Sequence, residues 1–336
     1  MDTLKFLARR LAIVIPQLLG ITLVSFLLVR MLPGNPAIAI AGSLANDKTV
    51  AAIEARMGLD KPLLTQFWIY LTNILKGDFG NSWYTSNPVL KDIVARFPAT
   101  LELISISMMF AIILGVLGGL ISTTKQNGII DRISKAFSLV AGALPEFWLG
   151  LVLIYFLYFK LNIVAPPLGR LDIGLMAPKQ VTGMILIDSL LAGNLIAFRS
   201  ALSHMFLPVL TLTTVLLGPI LKMTRASMLE AFNSEYIHYA RMCGIKEKVV
   251  SSYALRSALA PIVTIIAVYY GFMLGGAVLV ETVFTWGGIG QYAVQSVVNK
   301  DFNAIQGFLI ASAIFSLVIY LLVDIIYMKI DPRIKA

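Results

Sequence analysis

Residues able to carry out chemistry are scarce in this sequence of 336 residues. Two histidines, His204 and His238, and one cysteine, Cys243, are too few for a zinc cluster, a disulfide or a histidine-based catalytic site. The stretch GLISTTK near Gly119 lacks the second glycine of a GxxxxGK[ST] phosphate loop. No HExxH motif or nucleophile elbow occurs, and no carboxylate pair at helical spacing lies inside an apolar stretch of bilayer length. We therefore predict that the chain is not an enzyme, holds no cofactor or metal, and does not hydrolyse ATP itself.

Two acidic residues lie within or next to long apolar stretches. Glu146 follows Pro145 in the middle of the stretch 136–159, and Asp324 stands at the end of the last apolar stretch. A charge inside a bilayer is costly and is by default a functional candidate. Glu146 could bind a substrate amine or a proton, or it could face a polar cavity, a partner helix or the outer water at a proline bend. Asp324 is better explained as an interfacial charge.

The elements that would position these residues are membrane spans. Hydrophobic residues make up 58% of the sequence and charged residues 13%, about half the charged fraction of a soluble domain. Six apolar stretches reach the roughly 20 residues needed to cross a bilayer, at 11–29, 103–124, 136–159, 200–221, 257–280 and 302–323. This pattern excludes a soluble enzyme. The net charge of +9 therefore does not indicate nucleic-acid binding, because in a membrane protein basic residues mark the cytoplasmic side.

The distribution of basic residues sets the orientation of these spans, because cytoplasmic loops are enriched in Lys and Arg. Segments 1–10, 123–135, 222–257 and 328–336 hold 15 of the 27 basic residues, and the longer loops on the opposite side hold the rest. We therefore predict an all-α integral membrane protein with six transmembrane helices and both termini in the cytoplasm.

A further apolar segment, 180–198, does not fit a seventh span. Asp188, Gly193 and Asn194 interrupt it, and its uninterrupted pieces are shorter than a bilayer requires. We predict a re-entrant or surface helix here.

The segment after the first span is too long for a simple turn. Turn sequences, PGNP at 33–36 and KGDFG at 76–80, alternate with apolar positions and predict a small extracytoplasmic cap. The predicted organisation is thus a tail and first span at 1–31, a cap at 32–99 and a five-span domain at 100–336.

The cytoplasmic loop 222–257 carries the clearest helix signals outside the spans. Its centre reads SEYIHYARMCG. Ser234 is a good N-cap, Glu235 and Arg241 complement the helix dipole, and Gly244 can adopt the left-handed conformation that ends a helix. These signals predict a helix of about nine residues, which is marginal in water and needs a surface to dock on.

The predicted helix is amphipathic. Tyr236, Ala240 and Cys243 share one face, with Ile237 beside them, and the small side chain of Ala240 allows close approach. On these signals alone, the helix could rest on the membrane surface, on the ends of its own spans, or on another protein.

Several motifs resemble one family of membrane proteins. The stretch RASMLEAFNSEYIHYARMCGI, followed by YALRSALAP, resembles the EAA loop of permease subunits of binding-protein-dependent ABC importers, in the form typical of the peptide/nickel (dipeptide and oligopeptide) group. LLVRMLPGNPA, MGLDKPLLTQFWIYLTNILKGDFGNSW, LPEFWLGLVLI, VETVFTWGGIG and DPRI match further family stretches in order, over nearly the whole chain. Three residues depart from the pattern: Asn35 replaces the usual Asp, Gly287 a frequent Pro, and Glu146 a small residue.

The resemblance implies a type I ABC importer fold and its mechanism. The helix at 234–244 would dock in a cleft of a cytosolic ATPase subunit, and ATP-driven closure of two such subunits would switch the spans between inward-open and outward-open states. The residues implied in this coupling are Ser234, Glu235, Tyr236, Ile237, Ala240, Arg241, Gly244 and Ile245. The implied partners are a second homologous permease, two ATPase subunits that hold ATP and magnesium, an extracytoplasmic substrate-binding protein and the lipid bilayer.

The resemblance also implies di- or oligopeptides as substrates and the bacterial or archaeal cytoplasmic membrane as the location. Related systems carry nickel complexes or oligosaccharides. Two other classes stay open: a self-sufficient secondary transporter or channel with Glu146 as its coupling site, and a membrane scaffold. The secondary transporter leaves the capped helix at 234–244 without a role.

Overall fold

A computed structural model describes residues 2–31, 37 and 46–330, which are helical apart from loops and one β-bridge. The helices are α1 (Asp2–Met31), α2 (Asp47–Met57), α3 (Leu63–Leu75), α4 (Val89–Thr123), α5 (Ile129–Ala143), α6 (Glu146–Leu153, continued by a π-helix at Ile154–Lys160), α7 (Ile185–Leu191), α8 (Leu195–Phe232), α9 (Glu235–Met242), α10 (Glu247–Val283), α11 (Ile289–Val298) and α12 (Phe302–Ile330). The PGNP turn, with Asn35, and the DPRI tail lie outside the described residues.

Within the described residues, four helices are long and apolar enough to cross a membrane: α4, α8, α10 and α12. The pair α5 and α6 makes a fifth if the two form one broken span. In α1, the stretch Ala12–Leu28 is apolar as well. The chain is therefore a multi-pass membrane protein, and six spans stay a prediction. Residues 180–198 hold only the seven-residue α7 and the first turn of α8, so they form no separate span, as predicted.

The predicted third span, 136–159, is not one continuous helix. Helices α5 and α6 meet at an angle of 104°. Leu144 ends α5 with an extended ψ of 130°, as expected for a residue that precedes a proline. Pro145 then precedes the first turn of α6, where its missing N–H costs no helical hydrogen bond. The break lies at the interruption that the sequence shows, Pro145 and Glu146, because the proline ends the helix despite the apolar composition of the stretch.

Helix α8 forms the centre of the fold. It packs against α4, α5, α7 and α10, and 67% of its apolar window is buried, compared with 33% in α4 and α10. The contact with α4 depends on small residues. A Cβ on Gly119 would lie 2.6 Å from the side chain of Thr224, and one on Gly115 would lie 2.7 Å from Ile220. These glycines therefore serve close helix packing.

The cap segment is tied to the start of α12. Ser82 Oγ donates to Asp301 Oδ2 at 2.6 Å, and Asn303 Nδ2 donates to Asn81 O at 2.9 Å. Helix α4 already begins at Val89, so the last residues of the predicted cap belong to the helix of the second span.

Candidate coupling helix and membrane cleft

The helix predicted in the loop 222–257 is present as α9 and lies between the ends of α8 and α10. Ser234 has the extended backbone of an N-cap, with a ψ of 149°. Its hydroxyl, however, donates to Ala231 O at 2.5 Å and accepts no hydrogen bond from α9. The position of the cap was predicted correctly. The side-chain hydrogen bond expected of an N-cap is absent, because the hydroxyl of Ser234 donates instead to Ala231 O at the end of α8.

The C-terminal end of α9 is a glycine-dependent cap. Gly244 has a φ of +75°, its N–H donates to Arg241 O at 2.9 Å, and the N–H of Ile245 donates to Ala240 O at 3.2 Å. This pair of bonds is the Schellman motif, in which a left-handed residue turns the chain away from the helix. A Cβ on Gly244 would meet nothing within 4 Å. Glycine is thus required here by its backbone angle, and the predicted cap is confirmed.

One face of α9 is buried within its own chain. Ile237 is fully buried and Ala240 nearly so. Both pack in one apolar cluster with Met228 and Ala231 of α8 and with Val250, Ala254, Ala258 and Ile262 of α10, and Ile245 packs at its edge. The prediction that Tyr236, Ala240 and Cys243 share one face was therefore wrong, because Ala240 is buried while the other two are exposed. Spacing shows which residues lie near one another on a helix, but not which of them meet the rest of the chain.

The opposite face of α9 is exposed and partly aromatic. Tyr236, Tyr239 and Met242 are 45%, 70% and 75% exposed, and the thiol of Cys243 is also exposed. We call these four residues the α9 patch. Tyr239 and Met242 were missed by sequence reasoning, although they stand three and six residues after Tyr236, which places them near one face of a helix. Exposed aromatic residues and methionine are enriched at protein interfaces.

Arg241 braces α9 against its neighbours. Its Nε donates to Glu247 Oε1 at 2.9 Å and its Nη2 to Glu247 Oε2 at 3.4 Å, while the guanidinium lies 5.5 Å from the centre of the Phe232 ring. Exposed ion pairs add little stability, but this bidentate geometry fixes the start of α10 relative to α9. Glu235 stays exposed in the first turn of α9.

A buried ion pair joins α5 to α8 close to the α9 end of the fold. Asp131 is fully buried and accepts from Arg225 Nε at 2.5 Å and Nη2 at 3.2 Å. Lys135 Nζ lies 2.9 Å from the same carboxylate, and the N–H of Asn127 donates to it at 2.9 Å. Sequence reasoning missed this pair because the two partners are 94 positions apart. It links the α4–α5 loop to the helix that leads into α9.

A second set of buried charges lies at the end of α10 far from α9. Glu281 accepts from Thr100 Oγ1 at 2.5 Å, and Glu102 of α4 accepts from the N–H of Leu186 at 2.8 Å; both carboxylates are buried. Burial lowers the pKa of the Arg170 guanidinium, and the charges of Glu102 and Glu281 oppose this shift. These contacts hold the loop after α6 and the start of α7 against α4 and α10.

Glu146 begins α6, directly after the break, and borders a cleft of about 370 Å³. The walls of the cleft belong to α8 and α10 and include Leu212, Leu216, Tyr269, Phe272, Met273 and Gly276. A Cβ on Gly276 would lie 3.3 Å from Glu146 Oε1. Among the described residues, no hydrogen bond or ion pair reaches this carboxylate. No group of three or more His, Cys, Asp or Glu in the described part of the chain could hold a metal ion.

Comparison with known proteins identifies the family. The family model described as "binding-protein-dependent transport system inner membrane component" matches residues 111–336, and a model of the N-terminal part of such components matches residues 3–104. The chain belongs to this family. It is therefore a membrane component of a transport system, and the family membership predicted from its motifs is confirmed.

Individual relatives are similar over nearly the full length. The chain is 40% identical to the probable D,D-dipeptide transport system permease protein DdpB of Escherichia coli K12, over 94% of this chain and 93% of the relative. It is 38% identical to the dipeptide transport system permease protein DppB of Alkalihalophilus pseudofirmus and 33% identical to the glutathione transport system permease protein GsiC of Escherichia coli O1:K1 / APEC, each over 99% of both chains.

Proposed function

We propose that this chain is a permease subunit of an ATP-driven importer that moves di- or oligopeptides across the cytoplasmic membrane of a bacterium or archaeon. The relatives reported above are named for the transport of dipeptides and of glutathione, which supports a short-peptide substrate. The chain would cross the membrane six times, through α1, α4, the broken pair α5 and α6, α8, α10 and α12, with both termini in the cytoplasm. Its partners would be a second homologous permease, two ATPase subunits that hold ATP and magnesium, and a substrate-binding protein.

The observation that carries this proposal is the division of α9 into two faces. Ile237 and Ala240 are buried against α8 and α10, while the α9 patch is exposed. A helix that was only an anchor would not need an exposed aromatic surface on its other side. We infer that the α9 patch docks on an ATPase subunit.

The contacts of α9 indicate how a displacement would spread. The apolar cluster around Ile237 joins α9 to α8 and α10, and the pair Asp131–Arg225 joins α8 to α5. A push on the α9 patch would therefore move the cytoplasmic ends of α5, α8 and α10 together. The break at Pro145 lies beyond these contacts and could act as the hinge between α5 and α6.

The test is co-purification of the tagged chain with its partners from the native membrane in mild detergent. We expect the ATPase subunits to be recovered with the wild type and with Tyr84→Ser, which removes an exposed tyrosine of the cap segment. They should be lost with the double substitution Tyr239→Ser and Met242→Ser. Equal recovery from all three would show that the α9 patch is not the docking surface.

Transport in reconstituted vesicles tests the rest of the proposal. Uptake of a labelled dipeptide should require ATP, the ATPase subunits and the binding protein. Uptake by the isolated chain without ATP would instead support the secondary-transporter hypothesis.

A further inference from the structure

Two cavities lie next to each other along α8 and α10. The first is the cleft at Glu146. The second, of about 480 Å³, is bordered by α5, α8 and α10 and includes Pro219 and Lys222. Tyr269 borders both cavities, and the lining residues of α8 continue from Leu216 in the first to Pro219 in the second. The two cavities thus adjoin at Tyr269, and we call them together the groove, which runs from Glu146 towards the end of α8 that carries α9.

Glu146 is the acidic group of this groove, and its surroundings suit a cationic ligand. The carboxyl is half-buried and has no hydrogen-bond or ion-pair partner among the described residues, and the nearby walls are apolar. A Cβ on Gly275 would meet nothing within 4 Å. The absence of a side chain at Gly276 leaves room for Oε1 of Glu146 beside α10. The start of α6 favours a negative charge at this position, because the N-terminal end of a helix dipole is positive. A half-buried carboxylate that has no cationic partner among the described residues attracts a cation from the groove.

We infer that Glu146 binds the α-ammonium group of a peptide during its passage along the groove. This inference rests on the proposed function, since the peptide cargo supplies the ammonium group. The interaction would be a charge-assisted hydrogen bond, which is stronger than a neutral one. Leu212, Phe272 and Met273 would contact the apolar side chains of the peptide.

The groove is too long for a dipeptide to contact Glu146 at one end and Lys222 at the other. From Leu212 to Lys222, α8 rises about 15 Å, whereas an extended dipeptide spans at most about 7 Å. A dipeptide held at Glu146 therefore cannot reach Lys222 at the same time. Lys222 therefore takes no part in the step in which Glu146 holds the ammonium group.

Uptake by reconstituted complexes gives the first test. We compare the wild type, Glu146→Gln, Glu146→Asp and, as a control, Asp60→Asn, which removes an exposed carboxylate between α2 and α3. At saturating, dipeptide-loaded binding protein, Glu146→Gln should lower the transport rate about tenfold, because a hydrogen bond between charged groups is lost. Glu146→Asp should retain part of the rate, Asp60→Asn all of it, and every variant should still recover the ATPase subunits.

Carbodiimide labelling gives the second test and needs no binding protein. The reagent modifies carboxyl groups in apolar surroundings, and modification of Glu146 is followed by peptide mass spectrometry on the wild-type complex. A dipeptide with a free amino group should protect Glu146, whereas the same dipeptide with an acetylated amino group should not.

The outcomes separate this inference from the proposed function. Equal protection by both dipeptides, no protection by either, or an unchanged rate in Glu146→Gln would overturn the ammonium subsite while leaving peptide import intact. Failure of the wild type to import any peptide would overturn the proposed function, and the ammonium subsite with it.

Discussion

Substitutions at Gly244, in the cap that ends α9, can separate backbone strain from partner contact. The backbone angle of Gly244 is left-handed, yet the space where a side chain would lie is open. Any effect of substitution therefore arises either from backbone strain within the chain or from a clash with a docked partner. The two causes can be told apart, because Asn tolerates the left-handed conformation better than Ala but is larger.

We predict that Gly244→Ala reduces ATP-dependent peptide uptake more than Gly244→Asn does. The strain of a left-handed Ala is about 1–2 kcal/mol and acts on the end of α9. Uptake by both variants is measured beside co-purification of the ATPase subunits. The reverse order, with Asn the more harmful, would mean that a partner surface lies against Gly244.

The buried face of α9 should respond differently from its exposed face. Ile237→Ala removes a fully buried side chain and should lower the stability of the chain by about 2–5 kcal/mol. Tyr239→Ser should leave stability unchanged but weaken ATPase binding. Thermal unfolding in detergent, measured for both variants, checks this contrast. Similar losses of stability would show that the two faces are not independent.

At the scale of elements, the coupling proposed for α9 requires that the helices it contacts move with it. Its apolar cluster provides one connection, and the pair Asp131–Arg225 provides the other by joining α5 to α8. Removing one partner of a buried ion pair costs more than replacing both, and without Arg225 the buried Asp131 would keep only Lys135 and the N–H of Asn127.

We therefore predict that Arg225→Met destabilises the chain by about 3 kcal/mol and that adding Asp131→Asn restores part of this loss. The double-mutant cycle is measured by thermal unfolding, and uptake is measured in parallel. Lys135 also contacts Asp131, so Lys135→Met serves as the comparison with a smaller expected effect. Additive losses from the two substitutions would show that the pair is not coupled.

At the scale of the whole molecule, the position of α9 depends on the number of spans. Six spans place α9 and Cys243 in the cytoplasm and the cap segment, with Asp60 between α2 and α3, on the outer face. A seventh span within 180–198 would place everything that follows on the opposite side of the membrane. The helix there, α7, has only seven residues and is too short to cross a bilayer.

Thiol labelling in intact cells tests this topology. A membrane-impermeant maleimide should not label the wild type, whose exposed Cys243 is its only cysteine, and should label the Asp60→Cys variant. Opening cells that lack the ATPase subunits, which would otherwise cover Cys243, should make the wild type reactive. Labelling of the wild type in sealed cells would contradict the six-span arrangement.

The sequence by itself determined the features that depend on neighbouring residues. Apolar length indicated the membrane helices, and the order Ser234 to Gly244 located α9 and its cap, because capping acts within one or two turns of a helix. Only the tertiary structure decided which face of α9 is buried, because periodicity groups residues on a face without naming its neighbour. The same holds for Asp131 with Arg225, and for Glu146, whose place in a cleft depends on where α8 and α10 pass. Such contacts join residues that are far apart in the chain, and rules that act between neighbouring residues do not predict which of them meet in space.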